Sequence, residues 1–229
     1  MIPAVALVGP SQVGKTTLVE RLIAELKARD YRVAAIKHSG HGVSLDTSGK
    51  DSWRFFQSGS DSVVVASEET TFWIRKEQQA LTVEQILRLV GESADLALVE
   101  GFKHSNIPKI EVHRKAMGCG LTCAPETLLA VATDEPLDVD VPQLDLSDSA
   151  AIADFIVQRV TRTPANDVEV MVNGSELELK PFVKLLVART ILGMMSTMKD
   201  AHEIRSLDIS IRNRLERWGS KYENWRPDD

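Results

Sequence analysis

Gly9-Pro-Ser-Gln-Val-Gly14-Lys15-Thr16 fits the spacing G-x-x-x-x-G-K-[ST]. Each residue type has a chemical reason to be there. Glycines let the backbone turn so that successive N–H groups converge on one point. The helix that opens at Lys15 adds partial positive charge at its N-terminus. The Lys15 ammonium can reach β- and γ-phosphates, the Thr16 hydroxyl can ligate Mg²⁺, and Thr17 can cap the helix or touch an α-phosphate. Gly9, Pro10, Ser11, Gln12, Val13, Gly14, Lys15, Thr16 and Thr17 are therefore expected to hold nucleotide phosphates. Chance alone gives about one such match per hundred chains of this length. Here the match also follows a buried strand and opens an amphipathic helix, which chance does not supply.

A phosphate loop needs an acid near its metal. Such acids sit at the carboxyl ends of parallel strands, where the crevice of an α/β sheet opens. Leu96-Ala-Leu-Val99 reads as a buried strand, and Glu100-Gly101 follows at its carboxyl end. Glu100 is the expected metal or water ligand, and Lys15 with Glu100 forms the expected catalytic pair. Asp95 lies at the opposite end of that strand. Lys37 follows another buried strand on the ligand side and is either a phosphate contact or a solvated lysine. His38-x-x-His41 together with Cys119-x-x-x-Cys123 has ligand types suited to zinc. The plainer reading makes the cysteines ordinary loop or core thiols. His104 and His113 read as surface or satisfied residues.

The elements that position these groups follow from periodicity. Val5–Val8 is a short buried strand, and Leu18, Val19, Leu22, Ile23 and Leu26 share one helical face. Arg32–Ile36 is the next strand, which completes a βαβ unit. Further strands are expected at 62–66, 71–75, 96–99, 109–112 and 128–132. One helix begins at the capping box Thr82-Val-Glu-Gln85; another runs over 148–160. Alternating strands and helices imply a mostly parallel sheet covered on both faces. Trp53, Phe55 and Phe56 are expected to pack in the core.

Thr161-Arg-Thr-Pro164 reads as a linker. Beyond it an alternating pair of strands surrounds Asn173-Gly174, a strong hairpin signal. A helix follows from Pro181 to about Met198, with Met194, Met195 and Met198 as core filler. A strand over 203–211 and a polar tail with Trp218, Tyr222 and Trp225 complete the chain. The expected domains are thus 1–162, an α/β nucleotide-binding domain, and 163–229, a small α+β module.

Composition narrows the class. The 229 residues are 43% hydrophobic and 26% charged, near the globular norm. The net charge of −6 argues against a general nucleic-acid coat. Charge is uneven, since residues 180–226 carry ten Lys and Arg against five Asp and Glu. Two cysteines make no disulfide framework, and neither a signal peptide nor a membrane span is readable, so a cytoplasmic location is expected.

The order of the motifs carries a resemblance. After the phosphate loop come Ile36-Lys37-His38, then Asp46-Thr-Ser-Gly49-Lys50-Asp51-Ser52, then Val99-Glu100-Gly101-Phe102-Lys103. Lys109-Ile110-Glu111-Val112 and Ala130-Val-Ala-Thr-Asp134 follow. Over residues 3–160 the chain resembles the family of molybdopterin-guanine dinucleotide biosynthesis protein B (MobB), in a long form with a C-terminal extension. The resemblance implies a P-loop NTPase three-layer sandwich that binds GTP with Mg²⁺ and hydrolyses it slowly. It implies a homodimer that assists the guanylyltransferase (MobA-like) joining GMP to molybdopterin, with molybdopterin itself a further candidate ligand. Carried over by position, Lys37 and His38 line the nucleotide crevice. Asp46, Lys50 and Asp51 face the phosphates and metal, with Asp46 sharing the water- and metal-organising role of Glu100. Asp134 falls where related GTPases meet the base. The sequence departs from the family where Ser39-Gly40-His41-Gly42 replaces further histidines. It has no Asn-Lys-x-Asp motif, so the guanine preference rests on the resemblance. Two other classes remain open, a small-molecule kinase and a nucleotide-switched metallochaperone or adaptor.

Overall fold

The computed structural model describes residues 2–39, 48–160, 168, 170–172, 175–177 and 179–199. Asp46, His41, the 161–164 linker, the Asn173-Gly174 turn, the expected strand over 203–211 and the aromatic tail lie outside the described residues. The chain divides into two compact units, Met1–Ala165 and Asn166–Asp229.

In chain order the first unit comprises β1 (Ala4–Val8), α1 (Lys15–Lys27), β2 (Val33–Lys37), α2 (Asp51–Gln57), β3 (Ser62–Ala66) and β4 (Thr71–Arg75). It continues with α3 (Val83–Val90), β5 (Leu96–Glu100), β6 (Lys109–Val112), β7 (Ala130–Thr133), β8 (Gln143–Asp145) and α4 (Ser149–Val160). The second unit contains β9 (Val170–Val172), β10 (Ser175–Leu177) and α5 (Pro181–Met195).

Six strands form one sheet in the order β2-β5-β1-β6-β7-β8, and every pairing is parallel. All their carboxyl ends therefore lie along one edge. The chain enters at the centre: β1 is flanked by β5 on one side and β6 on the other, with Leu7 level with Glu100 and Ile110. Strand order reverses there, which opens a crevice above β1.

Period-two alternation splits the core into two faces. Val5 and Leu7 point to one face, where Leu18, Leu22 and Leu26 of α1 and Ile152 and Ile156 of α4 pack fully or almost fully buried. Ala4, Ala6 and Val8 point to the other, against Val83 and Leu87 of α3. That second face is built of small residues, Ala97 and Ala34 among them, so the short α3 can approach closely. The result is the three-layer α/β sandwich expected from the sequence. Thr82 caps α3 as its capping box requires: its hydroxyl accepts from the Gln85 N–H, and the Gln85 side chain accepts from the Thr82 N–H.

Three features differ from the sequence reading. β3 and β4 pair with each other as a separate antiparallel ribbon, outside the main sheet. The aromatic cluster on α2 does not reach the core: Phe55 is 61% exposed, and α2 has no buried residue. A helix this short turns at most one face inward, and Lys76 covers the Phe56 ring instead. Met194 and Met198 on and after α5 are exposed rather than core filler. β9 and β10 do pair antiparallel, as the Asn-Gly signal predicts.

Candidate functional site

The crevice is built from the loops that leave the carboxyl ends of β1, β5, β6 and β7. The loop after β1 turns through left-handed backbone at Gly9 (φ 132°), Gln12 (φ 63°) and Gly14 (φ 101°). Gly9 has no alternative. A Cβ there would stand 2.6 Å from the Val112 carbonyl oxygen. The loop thus lies directly on the end of β6, and the chain can turn its N–H groups inward only without a side chain at that point.

Lys15 folds back over the loop. Its ammonium donates to the carbonyls of Gly9 (3.0 Å) and Pro10 (2.6 Å). Burial pushes this ammonium below the ordinary lysine value, the Glu100 carboxylate pulls it back up, and the Lys37 charge pushes it further down.

Glu100 stands where the strand-end argument put it. Its main chain is locked, since the Glu100 carbonyl accepts from the His38 N–H and the next residue, Gly101, donates to the Leu7 carbonyl. Its carboxylate accepts from the Thr16 hydroxyl at 2.9 Å and pairs with the Lys37 ammonium at 3.2 Å. Thr16, Glu100 and Lys37 are therefore one connected group beside Lys15. His38 stands nearby, with its ring 4.5 Å from that of Phe102.

The β6 side is wired differently. Arg114 was not among the residues the sequence pointed to. Its Nε donates to the Val13 carbonyl at 2.9 Å, and its guanidinium lies against Gly14, where a Cβ would come within 3.4 Å. Asp134 accepts from the Lys115 N–H at 2.7 Å and lies 3.8 Å from Arg114. Buried His113 meets Glu135 at 3.1 Å, as a satisfied histidine should. A cavity of about 310 Å³ opens beside this cluster, bordered by Asp134, Glu135 and Asp145. Arg114 escaped notice because its partner lies a hundred positions away and no motif joins them. Its signal was the one that found Glu100: a charged residue just past the carboxyl end of a buried parallel strand.

Lys50 and Asp51 open α2, where Asp51 faces Arg54 at 3.6 Å. Among the described residues no hydrogen bond or ion pair joins them to the phosphate loop. Asp95 is held by Arg32 at the far edge of the sheet and lies below the usual carboxylate range because of those hydrogen bonds. Cys119 is exposed. Cys123 is partly buried, its thiol pushed up by burial and by the adjacent Glu111 carboxylate. Among the described residues no group of three or more His, Cys, Asp or Glu could hold a metal ion. No described helix is long and apolar enough to cross a membrane.

This arrangement has clear relatives. The family model of MobB, molybdopterin guanine dinucleotide synthesis protein B, matches residues 4–134. A molybdopterin-guanine dinucleotide biosynthesis adapter protein of Haemophilus influenzae is 43% identical over 156 residues, covering 68% of this chain and 88% of its own. A Methanocaldococcus jannaschii relative is 25% identical over 233 residues and covers 90% of this chain and 96% of its own, so that similarity extends into the second unit. The solved structure of Bacillus subtilis MobB superposes with a TM-score of 0.58 at 25% identity, over 71% of this chain and 100% of that one. With its central glycine-turned loop, its parallel sheet and these matches, the chain belongs to the MobB family.

Proposed function

We propose that the first unit binds GTP with Mg²⁺ at the phosphate loop, hydrolyses it slowly, and serves as an adapter in molybdopterin guanine dinucleotide biosynthesis. The assigned partner is the guanylyltransferase that joins GMP to molybdopterin. The observation that carries the nucleotide reading is the Lys15–Thr16–Glu100 group at the mouth of a glycine-turned loop. The adapter role follows from the relatives, which are named as adapter proteins of that biosynthesis.

The Lys15 ammonium now occupies carbonyls of its own loop. An incoming phosphate anion is a stronger partner for it, and the ammonium exchanges one for the other. Loop N–H groups and the N-terminus of α1 take the remaining phosphate oxygens. Thr16 and Glu100 offer a hydroxyl and a carboxylate 2.9 Å apart, a hard-oxygen pair suited to Mg²⁺. When bound, that ion supplies positive charge to the β- and γ-phosphate oxygens. Glu100 also orients the attacking water by accepting one of its O–H groups. Water attacks the γ-phosphorus, the bond from that phosphorus to the bridging oxygen breaks, and GDP leaves with inorganic phosphate. Arg114 is tied to Val13 and Asp134 rather than extended toward the loop mouth, so turnover in isolation is slow.

Guanine over adenine is supported by the β7 and β8 side of the crevice. The carboxylates of Asp134, Glu135 and Asp145 border the cavity there. Guanine presents N–H donors at N1 and N2 that carboxylates accept, whereas the matching edge of adenine presents an acceptor at N1. Calorimetric titration with Mg²⁺·GTP and Mg²⁺·ATP tests the assignment. The expected result is one site per chain with GTP at least about tenfold tighter, the worth of one charge-assisted hydrogen bond. Equal affinities would remove the guanine assignment, and no binding of either would remove the nucleotide reading.

A further inference from the structure

The cavity of about 310 Å³ beside the β6 flank lies at the small end of the range for ligand sites, which runs from about 300 to 1,000 Å³. Arg114 links it to the phosphate loop, since the same guanidinium lies against Gly14 and 3.8 Å from Asp134. Pro136 and Leu144 give the cavity apolar wall. Which of its polar groups can read a ligand depends on the donors and acceptors that each has already spent.

Most are spent. The Thr133 hydroxyl donates to the Glu135 carbonyl at 2.8 Å and accepts from the Glu135 N–H at 3.2 Å. The Gln143 side chain is closed on Leu137, accepting from its N–H at 2.8 Å and donating to its carbonyl at 2.7 Å. Glu135 has one oxygen on His113 at 3.1 Å and the other 3.8 Å from the Lys115 ammonium. Asp134 has one oxygen on the Lys115 N–H at 2.7 Å, and the other lies 3.8 Å from the Arg114 guanidinium. At both of these carboxylates a donor from a ligand competes with a cation.

Asp145 differs. It ends β8 level with Thr133 of β7, on the same carboxyl edge of the sheet as the phosphate loop. Its Oδ1 accepts from the Ser147 N–H at 2.8 Å and from the Ser147 hydroxyl at 2.7 Å. Those two donors fill the lone pairs of that oxygen and fix the plane of the carboxylate. Its Oδ2 keeps both lone pairs, and among the described residues no cation pairs with it. Asp145 is thus an acceptor oriented in advance at the border of the cavity.

We propose that Asp145 is the residue that selects guanine, its Oδ2 accepting from the adjacent N1–H and N2–H groups of the base, while Asp134 serves mainly to hold the loop. The inference rests on the reading of the crevice as a guanine-nucleotide site and adds which carboxylate discriminates. Ser147 gives it a sharp consequence. In Asp145→Asn the Ser147 donors retain the amide oxygen in the place of Oδ1, which leaves the NH₂ group where Oδ2 stood. That group opposes the N–H edge of guanine. It donates to the O2 carbonyl that xanthine carries there in place of the amino group.

Calorimetric titration of the full-length chain with the Mg²⁺ complexes of GTP, ATP and xanthosine triphosphate tests this in the wild type, Asp145→Asn and Asp134→Asn. Asp145→Asn should weaken GTP at least about tenfold and tighten xanthosine triphosphate at least about tenfold. A gain for one nucleotide cannot come from a damaged fold. Asp134→Asn should weaken all three together by loosening the loop, with no exchange of preference. A wild type that prefers GTP, with an Asp145→Asn variant that keeps this preference, would overturn the inference and leave the guanine reading standing. So would an exchange of preference in Asp134→Asn instead. Equal affinities of the wild type for GTP and ATP would overturn the guanine reading itself, and the inference with it.

Discussion

The two flanks of the phosphate loop use the same kinds of side chain in opposite ways. On the β5 flank, Glu100, Thr16 and Lys37 are bonded to one another at the crevice mouth and have capacity left for a ligand. On the β6 flank, Arg114, Asp134, His113 and Glu135 are bonded to one another and to the loop backbone. Under the proposed function, one flank meets a phosphate; the other holds the loop, spending one oxygen of Asp134 on the Lys115 N–H and one of Asp145 on Ser147 and leaving the second oxygen of each for the base. A carboxylate at a strand end is therefore not chemistry by itself. Glu100 and Asp134 both follow buried parallel strands, and what separates them is whether the backbone has already taken their oxygens.

The comparison can be broken most severely where the flanks meet. Lys15→Ala should lower nucleotide affinity by at least about 100-fold, since the half-buried ammonium that would meet the phosphates is lost. Calorimetry measures it, and near-normal affinity would detach the loop from the function. Gly9→Ala should come next. The 2.6 Å approach to the Val112 carbonyl forces the loop off β6, with a loss of about 2 kcal/mol in urea unfolding and weaker nucleotide binding.

Glu111 sharpens the holding role of the β6 side. Its carboxylate is buried in the strand and accepts from the Thr122 N–H and hydroxyl and from the Cys123 N–H. Glu111→Gln places an amide donor against donors and should cost about 2 kcal/mol of stability, read in urea unfolding, with nucleotide affinity unchanged.

The smallest effect is one of pH. The free-loop Lys15 ammonium lies below the ordinary lysine value through burial. A bound phosphate raises it, so binding takes up a proton in the alkaline range. Affinity should be level through neutral pH and fall as pH rises past the depressed free-state value, earlier than an ordinary lysine would allow. Lys15→Arg, which does not deprotonate, should remove that fall.

The site was legible to the extent that its geometry is local. The glycine spacing gave the loop, the four buried residues before Glu100 gave its place at a strand end, and Thr82 with Gln85 gave the start of α3. β8 is three residues long and α2 seven, too short for any periodicity to register. The β3–β4 ribbon was visible as two strands, but strand patterns do not say which sheet a strand joins. Arg114 and Val13 meet only because β6 lies beside β1, a long-range pairing that residue spacing does not encode.

The division between the flanks is tested most directly by measuring nucleotide affinity and single-turnover hydrolysis for Glu100→Gln and Arg114→Ala side by side. Glu100→Gln should keep affinity within about threefold and slow hydrolysis by at least about tenfold, because its charge acts on the water and the metal-binding oxygens. Arg114→Ala should do the reverse, weakening affinity about tenfold by loosening the loop while the bound nucleotide turns over at a near-normal rate. Equal losses of affinity and rate in both variants would contradict the account, because the two flanks would then form a single structural unit.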